Sequence, residues 1–389
     1  MIGYYAHHVG AGHLHRAAAV AAHLGRGMTV LTSADCHVSV NQVRLARDDD
    51  PPAEGDVTAG HSLHWVPVGH NGLRDRTSQI VGWTEEQRCS VLVSDVSVEV
   101  LLLTRLLSIP PVAVAMRGRR LDRPHALGYD VSCAIIAPWP RLTHGRWPQR
   151  WLDKTVWVGP VSRFDGRARV PGRCQGPGRC VVLMLGRGGD SMTETALSEA
   201  AAVPDTHWHL LGRPPEHPEV STAEQHGGSS DRDGRDRDSV DRGSSDRHAT
   251  VERAGWLADP WPVLCRADVV VTAPGDAAIA DIAAAGRPLI VVPQHRPFDE
   301  QQAQAAALVR HWLCLSVPTW PDRQHWPELL DRAQSLGGAG WSAYYDGLGS
   351  ARMAAELLEI ADRGRGWQPD RSDALDRRHD RVLSRLAVV

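Results

Sequence analysis

ADVVVTAPGDAAIADIAAAGRPLIVVPQHRPFDEQQAQAAAL, residues 267–308, decides the fold. It opens with the apolar run 269–271, which suits a strand buried on both faces. A turn follows at Ala273-Pro274-Gly275. The Ala-rich segment 276–285 then reads as a helix stopped by Gly286 and Pro288. The run 289–292 is a second parallel strand, and a polar loop leads into a helix beginning near Asp299. Strand, helix, strand, helix with short links is a βαβα unit. Such a unit gathers the loops after its strands and its helix N-termini at one sheet edge, where unpaired N–H groups and partial positive charge suit phosphate.

Asp281 lies within the first of these helices, where it can reach a ribose hydroxyl; Asp299, Gln301 and Gln302 open the second, where they can reach a sugar. Together these residues resemble the nucleotide-sugar site of GT-B glycosyltransferases, especially glycosyltransferase family 28, which includes the enzyme adding N-acetylglucosamine to lipid I. The family pattern is a Gly-containing turn, an acidic helix residue, G-x-P, an apolar strand ending in Pro, then D-x-Q-Q. Here these are Pro274-Gly275-Asp276, Asp281, Gly286-Arg287-Pro288, Val292-Pro293 and Asp299-Glu300-Gln301-Gln302. The chain departs from the pattern in carrying Asp281 for the usual Glu and Ala305 for an Asn after the Gln pair. The match spans about forty residues, and an ordinary βαβα unit without a sugar site is the bland alternative.

Length and composition frame this reading. At 389 residues the chain can bury two full cores. A net charge of -3 and a pI near 6.7 make no electrostatic case for nucleic acid. Lys154 is the only lysine, and Phe is scarce beside 14 Trp, which reads as codon bias rather than function. The seven cysteines (Cys36, Cys89, Cys133, Cys174, Cys180, Cys265, Cys314) are odd in number and form no C-x-x-C, so reduced structural thiols in a cytoplasmic protein are expected. Cys174 and Cys180 flank a Gly/Pro turn, but no adjacent His or second Cys pair supports zinc. No apolar run reaches about eighteen residues and no signal peptide is visible, although contact at the inner membrane surface stays compatible.

Along the chain, residues 2–6 read as a first strand, followed by the turn HHVGAGH and a helix over 14–24. Gly10 and Gly12 let the backbone approach a ligand. The spacing is not a full G-x-G-x-x-G and no acidic residue follows at ribose distance, so a dinucleotide site is the poorer reading. Gly10-Ala11-Gly12-His13 instead resembles the G-x-G-H loop of the same glycosyltransferases, with Arg16 one turn on. The positive field at a helix N-terminus favours neutral imidazole, and neutral imidazole accepts a proton near pH 7. His13 is thus the candidate base, against the alternative of a cap; His7 and His8 are weaker candidates.

Strands are expected at 28–32, 63–68, 91–93, 111–116, 134–137 and 156–158. Asp95 ends the fourth strand and can orient His13, touch an acceptor, or cap the next helix. Arg117–Arg120 is a basic cluster that can meet an anionic acceptor, with a solvated loop the default reading. A Pro/Gly/Arg-rich linker covers 162–178. The strand 180–185 then leads to Gly186-Arg187-Gly188-Gly189-Asp190-Ser191, a glycine turn at a helix start that can cradle a diphosphate. Residues 227–247 are low-complexity and expected to be a disordered insertion. Trp256 can stack on a nucleobase or pack in the core. Further strands are expected at 206–211, 250–256 and 314–317, with helices near 325–335 and 350–361.

The expected architecture is α/β: two doubly wound Rossmann-like domains facing a cleft, at 1–161 and 179–362, with a charged tail at 363–389. The resemblance implies an inverting glycosyltransferase that takes a sugar from a nucleoside diphosphate sugar, UDP-linked by preference, to an acceptor hydroxyl. The acceptor, lipid-linked or a small metabolite, belongs to the first domain, and no cofactor or bound metal is required. A sugar-nucleotide epimerase of the same fold, or a relative that binds without catalysis, are the alternatives.

Overall fold

The computed structural model describes residues 1–34, 39–141, 147–174, 176, 178–186, 192–212 and 250–363. The predicted insertion 227–247, the residues Gly188, Gly189 and Ser191 of the glycine turn, Cys36 and the tail beyond Arg363 lie outside them.

Two parallel sheets form the frame. The first contains β1 (Ile2–Ala6), β2 (Met28–Thr32), β3 (Gln42–Arg44), β4 (Val91–Asp95), β5 (Pro111–Val114), β6 (Ala134–Ala137) and β7 (Thr155–Trp157), in the order β3-β2-β1-β4-β5-β6-β7. The second contains β8 (Arg179–Met184), β9 (Thr206–Leu211), β10 (Thr250–Gly255), β11 (Val269–Thr272), β12 (Leu289–Val291) and β13 (Leu315–Ser316), in the order β10-β9-β8-β11-β12-β13. Helices α1 (Gly12–Leu24), α2 (Asn71–Glu86), α3 (Val98–Leu106), α4 (Arg123–Val131) and α5 (Gln149–Leu152) link the first set of strands. Helices α6 (Glu194–Ala201), α7 (Trp261–Arg266), α8 (Asp276–Ala285), α9 (Glu300–Arg310), α10 (Trp326–Leu336) and α11 (Gly349–Arg363) belong to the second half of the chain. The expected pair of doubly wound domains is therefore present. In each sheet the order reverses between the first strand and the fourth, which opens a ligand crevice at the strands' carboxyl ends.

The βαβα unit forms as its residues dictate. Val269–Thr272 and Leu289–Val291 are fully buried and pair in parallel, Val271 beside Ile290. Gly286 ends α8 in the left-handed conformation (φ 67°), which costs glycine least.

Three features differ from expectation. Residues 63–68 form no strand. The backbone N–H groups of His64 and Trp65 donate to the Glu99 carboxylate at 2.8 and 3.1 Å instead of to a neighbouring strand, and Pro67 has no N–H to offer. The edge position belongs to the short strand Gln42–Arg44. Second, α11 leaves the second domain: Met353, Ala354, Leu357 and Ile360 pack into the core formed by β1, β2, β4 and α1. Third, Cys174 and Cys180 are joined in a disulfide rather than held as thiols; Cys89, Cys133, Cys265 and Cys314 are free.

Candidate active site

The two crevices face each other. His13 and Arg16 lie on α1, directly after β1, and Asp95 ends β4, so all three stand at the reversal point of the first sheet. Across the cleft stands the start of α8. Arg16 Nη2 lies 3.7 Å from Asp276 Oδ2, and a methyl built on Gly12 would come within 3.1 Å of Ala277 Cβ.

Asp95 is the centre of the first-domain side. It is fully buried and accepts hydrogen bonds from Tyr4 Oη (2.8 Å) and from Arg16 Nη1 to both oxygens (3.0 Å each). His13 Nδ1 lies 3.0 Å from Asp95 Oδ1. Burial alone would raise the Asp95 carboxyl, but the adjoining Arg16 guanidinium, His13 and the Tyr4 hydroxyl hold it well below the ordinary range. An ionised carboxylate only accepts, so the His13 Nδ1–H donates to it and Nε2 is left as the ring's acceptor. The helix-cap role for Asp95 is excluded: Ser97 caps α3 by accepting from Val100 N. Val96, next to Asp95, holds φ at 98°, a strained value for a β-branched residue.

Burial pushes the phenol of Tyr4 well up. Burial also lowers His7 to about 3, with help from the neighbouring His13. Arg16 is raised: its burial opposes the charge, but Asp95, Tyr4 and Asp276 outweigh that.

A second cluster closes the cleft on the other side. Arg120 Nη2 donates to Glu300 Oε2 at 2.8 Å across the domains, and its Nη1 meets His125 Nε2 at 3.0 Å. His125 Nδ1 lies 2.5 Å from Asp122 Oδ1, and His64 Nε2 lies 2.7 Å from Asp122 Oδ2. Phe298 covers both imidazoles and the Arg120 guanidinium. Burial, reinforced by Arg120, depresses His125 to about 4. Burial and the nearby Asp276 raise Glu300, against the pull of Arg120. His64, Asp122 and His125 have donor atoms close enough to share a cation, but Arg120 already occupies His125. Behind them an apolar cavity is lined by Val96, Leu101, Met116 and Tyr129.

The basic loop is not solvated as expected. Arg117 and Arg120 are buried, Arg117 lying over the Trp139 ring at 4.6 Å, and only Arg119 is exposed, at 87%, with its Nε 3.2 Å from Asp299. The burial comes from partners up to 180 positions away. The spacing Asp122-x-x-His125 is the sequence signal that could have marked this cluster.

On the donor side the candidates separate. Gly275 caps α8 with no side-chain hydrogen bond and with open space where a Cβ would point. Pro274, Gly275 and Asp276 thus present the helix start to the cleft. Gly10 takes φ 83° with equally open surroundings. Gly186 follows β8 at the second sheet's reversal point. Trp256 is 45% exposed and so is not packed in the core. Asp281, in contrast, is buried away from the crevice. Its carboxylate accepts from Ser162 Oγ (2.7 Å) and Arg163 Nε (2.9 Å) of the linker. Gln301 is also buried and accepts from Gln294 N at 2.7 Å, while Gln302 Nε2 reaches Gln294 O at 3.3 Å. Both Gln side chains therefore shape the loop before α9. Asp299 is half-buried, with φ 52°, beside Arg119.

Comparison with known proteins adds a family and a fold. Residues 228–319 match the glycosyltransferase family 28 C-terminal domain. No curated protein matches the chain in sequence. Among solved structures the chain is similar to the calicheamicin glycosyltransferase CalG4, with TM-score 0.60 and 16% identity over 93% of this chain and 98% of that one. It is similar to MurG of Acinetobacter baumannii, with TM-score 0.57 and 13% identity over 92% and 99%. It is also similar to the spinosyn rhamnosyltransferase SpnG complexed with thymidine diphosphate, with TM-score 0.56 and 16% identity over 94% and 99%. The fold is GT-B, and the stretch containing β11, α8, β12 and α9 is family 28-like, in agreement with the sequence reading.

Proposed function

We propose that the protein is an inverting glycosyltransferase acting on a nucleoside diphosphate sugar. The carrying observation is the His13–Asp95 pair at the first sheet's reversal point, 3.0 Å apart and facing the start of α8. Asp95 orients the imidazole, and Nε2 takes the proton of the acceptor hydroxyl as its oxygen attacks the anomeric carbon. The bond from that carbon to the diphosphate breaks in the same step, which inverts the centre. The uncapped N–H groups at the start of α8 suit the departing diphosphate. Trp256 offers an exposed ring to the base. The thymidine diphosphate bound by one structural relative supports UDP or TDP as carrier. Among the described residues no helix is long and apolar enough to cross a membrane.

A sugar-nucleotide epimerase is the second reading, and one observation favours it: Asp276 and Glu300 bring two carboxyl groups to the cleft. Incubation with UDP- and TDP-sugars, followed by product analysis, separates the readings. Release of nucleoside diphosphate that His13→Ala abolishes supports transfer. An altered sugar still attached to its nucleotide supports epimerisation. Tight binding with neither product identifies a non-catalytic relative and ends the proposal.

A further inference from the structure

The linker meets the second sheet at a group of side chains outside the cleft. Cys180 is the second residue of the buried strand β8, and Cys174 precedes it by six residues, the Cα atoms 6.0 Å apart. β9 runs parallel alongside, with Cys180 opposite His207 and Val182 opposite His209. Partners in a parallel ladder point to the same face, so Cys180 and His209 share one. A ring nitrogen of His209 and both sulfurs lie within 4.8 Å of one another. His209 is 9% exposed. Its Nδ1 is 3.0 Å from Glu252 Oε2, while Nε2 is buried with no hydrogen-bond partner. A buried imidazole nitrogen left unpaired is costly unless something takes its lone pair.

We propose that Cys174 and Cys180 in their reduced state, together with His209, bind a thiophilic divalent metal ion, zinc foremost. Disulfide and metal are then alternative ways of stapling the linker to the second sheet. A dithiol reductant breaks the S–S bond, supplying two electrons and two protons, and is itself oxidised to a disulfide. The ion displaces the two thiol protons and takes the His209 Nε2 lone pair. Two thiolates and an imidazole are a zinc donor set, with water as the fourth ligand. Glu252 is the positioning residue: by accepting from Nδ1–H it fixes the tautomer that leaves Nε2 free to bind.

The full chain, reduced with dithiothreitol and desalted under argon, is titrated with Co²⁺ and then with Zn²⁺ as competitor. One equivalent of cobalt is expected, with sulfur-to-cobalt charge-transfer absorption that Zn²⁺ abolishes; the disulfide form should show none. Cys174→Ser should remove the absorption. Glu252→Gln should weaken binding by about 10–100-fold, and His209→Gln by more. Circular dichroism checks that each variant folds. If Cys174→Ser does not, the two variants that keep both thiols decide the matter. No cobalt uptake by the reduced wild type overturns the site, and so does undiminished affinity in both His209→Gln and Glu252→Gln.

Discussion

Arg16 extends from the first domain to within 3.7 Å of Asp276 in the first turn of α8, while its other amino group binds Asp95. One buried cation therefore neutralises carboxylates on both sides of the cleft. The α8 N-terminus that suits a diphosphate already carries a negative charge, and Arg16 compensates it.

Removing that charge should help an anionic ligand. Asp276→Asn is expected to tighten nucleoside diphosphate binding, read by calorimetry, at a stability cost of about 1 kcal/mol, because the contact is long and Arg16 keeps its two bonds to Asp95. Arg16→Ala is expected to destabilise by about 3–5 kcal/mol in urea, since it strands the buried Asp95 charge. Weaker diphosphate binding by Asp276→Asn would place the phosphates elsewhere.

His13→Ala is expected to slow turnover by about 10²–10⁴-fold with donor affinity little changed, because a general base contributes that much. His13→Gln keeps some hydrogen bonding but cannot take the proton, so it should be nearly as slow. Rates equal to wild type in both variants, with chemistry limiting, would leave His13 without a catalytic role.

Asp281 carries the opposite expectation from the one its sequence position suggests. Its carboxylate joins Ser162 and Arg163 of the linker, so Asp281→Ala should lower stability by about 1–3 kcal/mol, the cost of leaving buried partners unsatisfied. Direct nucleotide affinity should hardly change. A melting temperature equal to wild type together with lost nucleotide binding would restore it to the donor site.

This reversal marks what the chain discloses by itself. The strands of the βαβα unit and the Gly286 stop were legible, because burial on both faces demands continuous apolar runs and a left-handed cap favours glycine. His13 beside Asp95 was legible because both end up at strand ends of one reversal point. Helix α8, however, is buried nearly all round, so its pattern cannot tell which neighbour Asp281 meets. Residues 63–68 resemble a strand, yet Glu99, about 35 positions away, takes the N–H groups of His64 and Trp65. The burial of Arg117 and Arg120 depends on Trp139 and Glu300, which no local window contains.

Stability should fall on acidification. His125 and His7 stay neutral in the fold, at about 4 and about 3, chiefly through burial. The unfolded chain protonates its histidines near pH 6.5, so it binds more protons in this window, and stability decreases as pH drops from about 6.5 towards 4. For His125 this amounts to about 3 kcal/mol at most. Asp95, held ionised, adds loss in the same direction at still lower pH. Melting curves of His125→Asn should show a shallower slope across that window; an unchanged slope would refute the assignment.

Gly118 stands at φ 105°, and a methyl there would lie 2.3 Å from Phe298 O, where Arg119 N donates at 2.6 Å between the domains. Gly118→Ala is expected to part the domains, raising the radius of gyration in small-angle scattering while leaving each sheet folded. An unaltered scattering profile would show that the contact does not hold the cleft shut.

Helix α11 bears on how the chain is made. Met353 to Ile360 complete a core whose other members begin at Ile2. During synthesis the opening strands leave the ribosome long before their last packing partner exists, whereas the second sheet is complete by Ser316. The second sheet is thus free to mature first, and the first must keep its apolar surface covered by other means until residues 349–363 have been made. A chain stalled short of residue 349 should accordingly engage chaperones through its N-terminal portion.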